Sequence, residues 1–282
     1  MDLAQIRRLV IIALFSDDAL LEQLVLKGGN AVSLVYGLGH RASLDIDVSI
    51  DGDFENVDDT KGRIFQSLRR HFGSVGWVVF DERFDRRPAE SGNEQSKWGG
   101  YFAEFKLIEK KRYEELGGGL EDLRRNAIVI GPSQQRIFRV ELSKHEFCAG
   151  KTEVEMDDYA VYVYTPEMIA IEKLRAICQQ MPEYEKRGRK TARARDFYDI
   201  HTLVTKVGID LSLPENRDLC LNIFAAKDVR VNLIPKISEV REFHRPDWPA
   251  VEASVTGALE SFDYYFDFVV GQTLLLKPLW VI

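Results

Sequence analysis

Two aspartates raise the first chemical question. In HRASLDIDVSI, residues 40 to 50, Ser43, Asp45, Asp47 and Ser49 occupy every second position, and Leu44, Ile46, Val48 and Ile50 fill those between. Side chains alternate across a strand, so Asp45 and Asp47 share a face, about 6 to 7 Å apart. Two carboxylates that close repel unless a cation lies between them. A hard divalent ion such as Mg²⁺ or Mn²⁺ takes carboxylate oxygen and removes the conflict. A solvated strand face is the plain alternative. A third possibility is an EF-hand, because Asp47 to Asp58 places acids or hydroxyls at loop positions 1, 3, 5 and 7, glycine at 6 and an acid at 12. An EF-hand needs an entering helix, whereas this entry alternates with period two, and Asp58 stands where a bidentate Glu belongs.

The neighbouring residues favour the divalent ion. Lys27, Gly28, Gly29 and Asn30 lie between a predicted strand and a predicted helix, where bare N–H groups and a helix N-terminus can hold phosphate. The spacing is not that of a P-loop, and a glycine pair also serves plain turns. A third carboxylate comes from FRVELS, where Phe138, Val140 and Leu142 alternate with Arg139, Glu141 and Ser143. Glu141 is then either a metal ligand or an exposed strand glutamate.

Two helices carry charge on their apolar sides. TPEMIAIEKLRAICQQ opens with Thr165 as N-cap and Pro166 in the first turn. At about 100° per residue, Ile169, Ala170, Leu174, Ala176 and Ile177 form an arc that contains Lys173. A buried ammonium must meet an anion or snorkel to the surface. In ARDFYDIHTLV the apolar arc spans about 120°, with Asp196 inside it and Asp199 on its border. Lys173 is therefore expected near Asp196, as an ion pair or a shared site. Between these helices KRGRKTARAR gathers Lys186, Arg187, Arg189, Lys190, Arg193 and Arg195, a patch for triphosphate or RNA, or a solvated loop balancing nearby acids.

The elements that must position these groups follow from periodicity. A helix is predicted over 4–25, then a short strand, a helix from about Asn30 to the Gly37/Gly39 pair, the aspartate strand and a helix over 59–75. β-rich chain follows to VYVYTP with polar loops at 86–97 and 117–126, and helices are predicted over 166–180, 192–206, 215–227 and 249–268. The fold class is α+β, with residues 1–160 as a core domain and 161–282 as a mainly helical domain completing the site. The net charge of −7 over 282 residues means that any polyanion must meet a local basic patch. Cys148, Cys178 and Cys220 are widely spaced, which fits a reducing cytosol and supplies neither a disulfide framework nor a zinc site. RRLVIIALF lacks a cleavage pattern, and no run reaches the ~18 apolar residues of a membrane helix. The expectation is a cytoplasmic protein with no membrane partner.

Taken in order, LKGGNAVSLVYGLGHRASLDIDVSI, TPEMIAIEKLRAI and RARDFYDIH resemble the motifs of the AbiEii family of nucleotidyltransferase toxins, relatives of the mycobacterial MenT proteins. Those motifs are a glycine turn, D-x-D, an inward helical lysine and a closing R-D-x-x-D-[LI] helix, here spread from residue 26 to about 203. The resemblance implies a DNA polymerase β-like nucleotidyltransferase core with a mixed sheet, followed by a helical domain. It makes Asp45, Asp47, Lys173 and Asp196 catalytic. Asp45 and Asp47 hold Mg²⁺, with Glu141 added by strand alternation. Gly29 and Asn30 meet the NTP beside Lys27 and Gly28, and Lys173 grips its phosphates. The residue after Gly-Gly is usually Ser or Thr, and Asn30 departs from that while keeping an amide that can bond phosphate. The resemblance further implies a toxin of a toxin–antitoxin or abortive-infection system, transfer to the 3′ end of tRNA with a block of translation, and an antitoxin encoded alongside. Arg189, Lys190, Arg193 and Arg195 are the expected RNA or phosphate contacts. The rivals are a small-molecule or protein hydroxyl as acceptor, or a non-catalytic module that binds nucleotide or calcium.

Overall fold

A computed structural model describes residues 1–38, 45–88, 99–130, 134–186 and 188–281. Ser43 and Leu44, where the aspartate strand is expected to begin, lie outside the described residues, as do Arg187 and most of the expected 86–97 loop.

Seven strands form one mixed sheet: β1 (Leu24–Lys27), β2 (Ile46–Ile50), β3 (Trp77–Arg87), β4 (Gly100–Glu109), β5 (Phe138–Ser143), β6 (Thr152–Met156) and β7 (Tyr159–Val163). Their spatial order is β3-β4-β5-β2-β1-β7-β6, with β1/β7 and β2/β5 parallel and the remaining pairs antiparallel. Ile46, Val48 and Ile50 of β2 and Phe138, Val140 and Leu142 of β5 bury one face of the sheet's centre. The aspartate face is not an open surface, since Asp45 and Asp47 are half-buried and line a cavity. Ser49, on the polar side of β2, is fully buried and donates to the Tyr164 hydroxyl at 2.9 Å. The EF-hand reading also fails: a strand enters the segment, Phe54 is buried within it, and Asp53 is engaged by Tyr101 Oη at 2.7 Å and Lys144 Nζ at 2.8 Å.

The helices depart from expectation where capping and backbone chemistry intervene. The 4–25 helix is two, Leu3–Phe15 and Asp18–Gln23, because the Asp17 side chain caps the second by accepting from Leu20 N. The helical turn after β1 begins at Gly28, two residues earlier than Asn30, and passes into a π-helical segment, Ala31–Val35. The expected 249–268 helix is broken into Trp248–Glu252 and Phe262–Thr273, with Gly257 between them at φ +120. Pro166–Cys178, Ala194–Leu203 and Pro214–Ala226 stand close to where periodicity put them. Among the described residues no helix is long and apolar enough to cross a membrane.

Candidate active site

Strand register builds one wall of the site. Residues paired across neighbouring strands project to one face. Lys27 on β1 pairs with Asp47 on β2, Asp47 with Glu141 on β5, and Glu141 with Phe102 on β4. All four line a cavity of about 470 Å³, together with Asp45 just before β2. Neighbouring strands run about 4.8 Å apart, so Asp47 and Glu141 are close like charges. Burial, with Glu141 beside it, pushes the Asp47 carboxyl up to about 7 against the pull of Lys27. Burial also raises Asp45, partly offset by Arg139 and Arg195.

Gly28 is the reason Asp47 can lie where it does. It sits at φ +68, and a Cβ there would fall 2.3 Å from Asp47 Oδ2. Only a bare backbone lets the turn approach the carboxylate. Gly28→Ala is accordingly expected to cost about 1–3 kcal/mol in a thermal melt and to weaken nucleotide binding at least about tenfold by calorimetry. An unchanged melt would show that the turn tolerates the side chain.

Helix Pro166–Cys178 forms the opposite wall. Lys173 Nζ lies 3.1 Å from Asp196 Oδ1 and 2.8 Å from Asp199 Oδ2, all three side chains being buried. The expected meeting of the inward lysine and the inward acid is therefore an ion pair on the cavity wall. Burial alone would raise Asp196, but Arg193, Lys173 and Arg195 hold it well below the usual carboxylate range. Arg193 bonds Asp196 directly through Nε.

A second buried network escapes periodicity. Residues two apart on a helix point about 200° apart, so Arg175 leaves the far side from Lys173. Arg175 Nη1 donates to Glu146 Oε2 at 2.6 Å and Nη2 to Glu172 Oε1 at 2.9 Å. Lys27 Nζ lies 3.2 Å from Glu146 Oε1 and 3.5 Å from Glu172 Oε1, and Lys227 Nζ lies 3.5 Å from Glu146 Oε1. Burial, with Arg175 and Lys27 nearby, lowers Lys227 to about 8 despite Glu146. Glu146, Glu172, Arg175 and Lys227 also line the cavity. The available signal was the helix itself: a segment apolar on all sides that still carries Glu172, Lys173 and Arg175 must bury its charges in pairs.

The remaining expected residues divide. Lys27, Gly28 and Gly29 line the cavity, whereas Asn30 is fully buried behind them. Its Nδ2 donates to the Asp45 carbonyl at 2.6 Å and its Oδ1 accepts from Arg7 Nη1 at 3.3 Å. Its amide orients the aspartate strand rather than facing a ligand, because both ends are committed to the protein. The basic segment is likewise not one patch. Arg193 and Arg195 reach the cavity and Arg189 is exposed. Lys190 Nζ is held by the Gln179 and Tyr184 carbonyls, and Lys186 pairs with Asp228 at 2.5 Å. Among the described residues no three His, Cys, Asp or Glu side chains form a ready ion-ligating set. The donor chemistry nevertheless fits a hard cation: oxygen only, with an adjacent carboxylate pair whose joint ionisation burial resists.

The profile of the nucleotidyl transferase AbiEii toxin family, of type IV toxin–antitoxin systems, matches residues 11–269. The chain belongs to the AbiEii family. Among solved structures it is similar to JHP933 from Helicobacter pylori, at 15% identity over 98% of this chain and 91% of that one, with a TM-score of 0.50. A candidate nucleotidyltransferase from H. pylori gives the same identity and TM-score over 98% and 93%. At that identity the likeness shows a shared fold. Among curated protein sequences none matches significantly. The AbiEii match covers every cavity residue named above and makes the protein a nucleotidyltransferase toxin by family.

Proposed function

We propose that the protein transfers a nucleotide from an NTP to a hydroxyl of RNA, at the 3′ end of tRNA, and so blocks translation in the cytoplasm until an antitoxin encoded alongside restrains it. The observation that carries this reading is the Asp47–Glu141 pair, set against Gly28 on one wall of a cavity whose other wall presents Lys173 on Asp196. Asp45 and Asp47, with Glu141 as third carboxylate, would hold Mg²⁺ or Mn²⁺. When bound, such an ion offsets phosphate charge and polarises the reacting phosphorus.

The chain's own groups do the rest. Backbone N–H groups of Gly28 and Gly29 and the Lys27 ammonium receive the triphosphate tail. Lys173 and Arg193, held in place by Asp196, face the charge that develops as pyrophosphate leaves. Glu141 takes the proton of the attacking hydroxyl on a carboxylate oxygen. Residues 1–160 would supply the carboxylates and the phosphate turn, and 161–282 the cationic wall.

The deciding experiment incubates the protein with Mg²⁺, each labelled NTP in turn and total tRNA, beside Asp45→Ala and Lys173→Ala. Label in tRNA with the wild type alone supports the reading. Pyrophosphate released without RNA labelling moves the acceptor to a small molecule or protein, and no turnover at all leaves a binding module. A second expectation needs no turnover. Because an ion competes with the Asp47 proton, Mg²⁺ or Mn²⁺ should raise the melting temperature above pH 7 and do little at pH 5.5. An equal shift at both pH values would place the ion elsewhere.

A further inference from the structure

The flank of the cavity away from the phosphate turn carries a cation–aromatic stack. Phe102 follows Glu141 in the row across the sheet. Arg87 from β3 and Arg139 from β5 reach its ring from the strands on either side, their guanidinium carbons 4.6 and 4.8 Å from the ring centroid. Arg139 is committed to Glu104, with Nε at 2.8 Å and Nη2 at 2.6 Å from Oε1. Arg87 is exposed, lines the cavity, and makes no ion pair among the described residues. The wall beside it is bare, since Gly100 lies so close to β5 that a Cβ would fall 1.8 Å from the Leu142 carbonyl oxygen.

Sheet order gives this stack a side. The phosphate turn follows β1, the carboxylates stand on β2 and β5, and the stack lies on β4 and β3, in the order β3-β4-β5-β2-β1. In phosphoryl transfer the attacking and leaving oxygens lie roughly in line on opposite sides of phosphorus. With pyrophosphate leaving toward β1, the attacking hydroxyl arrives from the β4 side, past Glu141. The stack therefore stands where the acceptor must lie. A guanidinium plane backed by an aromatic ring is a surface on which a nucleobase stacks, whatever its sequence.

We propose that Arg87 and Phe102 form the acceptor subsite, stacking the terminal nucleobase of the RNA whose hydroxyl attacks. This rests on the nucleotidyl-transfer reading above. In the step it serves, the acceptor oxygen bonds to the α-phosphorus, the bond from that phosphorus to the bridging oxygen breaks, pyrophosphate leaves and the hydroxyl proton passes to Glu141.

The test uses labelled RNA oligonucleotides of one length, ending in an ordinary 3′ nucleoside or an abasic 3′ residue. Binding is read by fluorescence anisotropy without NTP, and turnover as separate KM values for RNA and NTP. The wild type should prefer the base-bearing end by about tenfold. Arg87→Ala and Phe102→Leu should lose that preference and raise the RNA KM while the NTP KM holds. Arg87→Lys keeps the charge but not the plane and should behave as Arg87→Ala. A preference that survives in the variants, no preference in the wild type, or a rise confined to the NTP KM overturns the subsite. Preference without any transfer would instead sink the transferase reading, and the acceptor role with it, leaving Arg87 and Phe102 as a base-stacking site alone; transfer without preference would overturn the subsite and leave the transferase reading standing.

Discussion

Asp47→Asn should abolish transfer, by about a thousandfold or more, and at the same time make the metal-free protein more stable at pH 8. The two effects have one cause. Folding raises the Asp47 carboxyl from 3.8 to about 7, chiefly through burial and then through Glu141. A carboxyl whose folded pKa lies above its unfolded value contributes stability that is complete below pH 3.8 and lost as pH rises to about 7. At about 1.36 kcal/mol per pH unit across that window, the loss at pH 8 is on the order of 4 kcal/mol. Asparagine cannot ionise, so the variant's melting temperature should fall less than the wild type's from pH 5 to 8, the remaining fall coming from groups such as Asp45 that burial also raises. Added Mg²⁺ should rescue the wild type and leave Asp47→Asn unmoved. A variant that is inactive and also less stable than wild type at pH 8 would mean that Asp47 holds the fold together rather than carrying a strain that a ligand relieves.

Part of that strain is legible in the sequence. Alternation at 45 and 47 put two acids on one face, and the inward placement of Lys173 and Asp196 required a partner for each. Each inference used a period and the cost of an unpaired charge, which are local properties of the chain. Register is not local. Nothing in FRVELS says that its strand runs parallel to β2 with Glu141 level with Asp47, and nothing near Arg87 says that β3 and β5 flank Phe102. Asn30 shows the same limit from the other side. Its position after Gly-Gly pointed to a ligand, but its orientation depends on Arg7 and the Asp45 carbonyl, which sequence spacing does not place. The basic run divided for a comparable reason, since the carbonyls of Gln179 and Tyr184 claim Lys190.

Glu146 is the residue whose loss should cost the fold most. It is buried, and three cations, Lys27, Arg175 and Lys227, converge on its carboxylate. Burial alone would raise its carboxyl, but Arg175, Lys27 and Lys227 hold it well below the usual range. Stability from this group is therefore present above its unfolded value of 4.5 and lost as pH falls below it. Glu146→Ala leaves the cations to Glu172 and should cost about 3–5 kcal/mol in chemical denaturation at pH 7. The double variant Glu146→Leu with Arg175→Met removes both ends of the strongest pair and should recover part of that loss, because an apolar pair of similar volume avoids the desolvation of those two charges while Lys27 keeps Glu172. Recovery of stability without recovery of nucleotide binding would separate the two duties of this cluster. The charges around Glu146 would then be kept for the phosphates they meet at the cavity wall, and the fold alone would do without them. If the double variant is no better than Glu146→Ala, the network's worth is structural, in the hydrogen bonds that bind helix Pro166–Cys178 to the chain after β5.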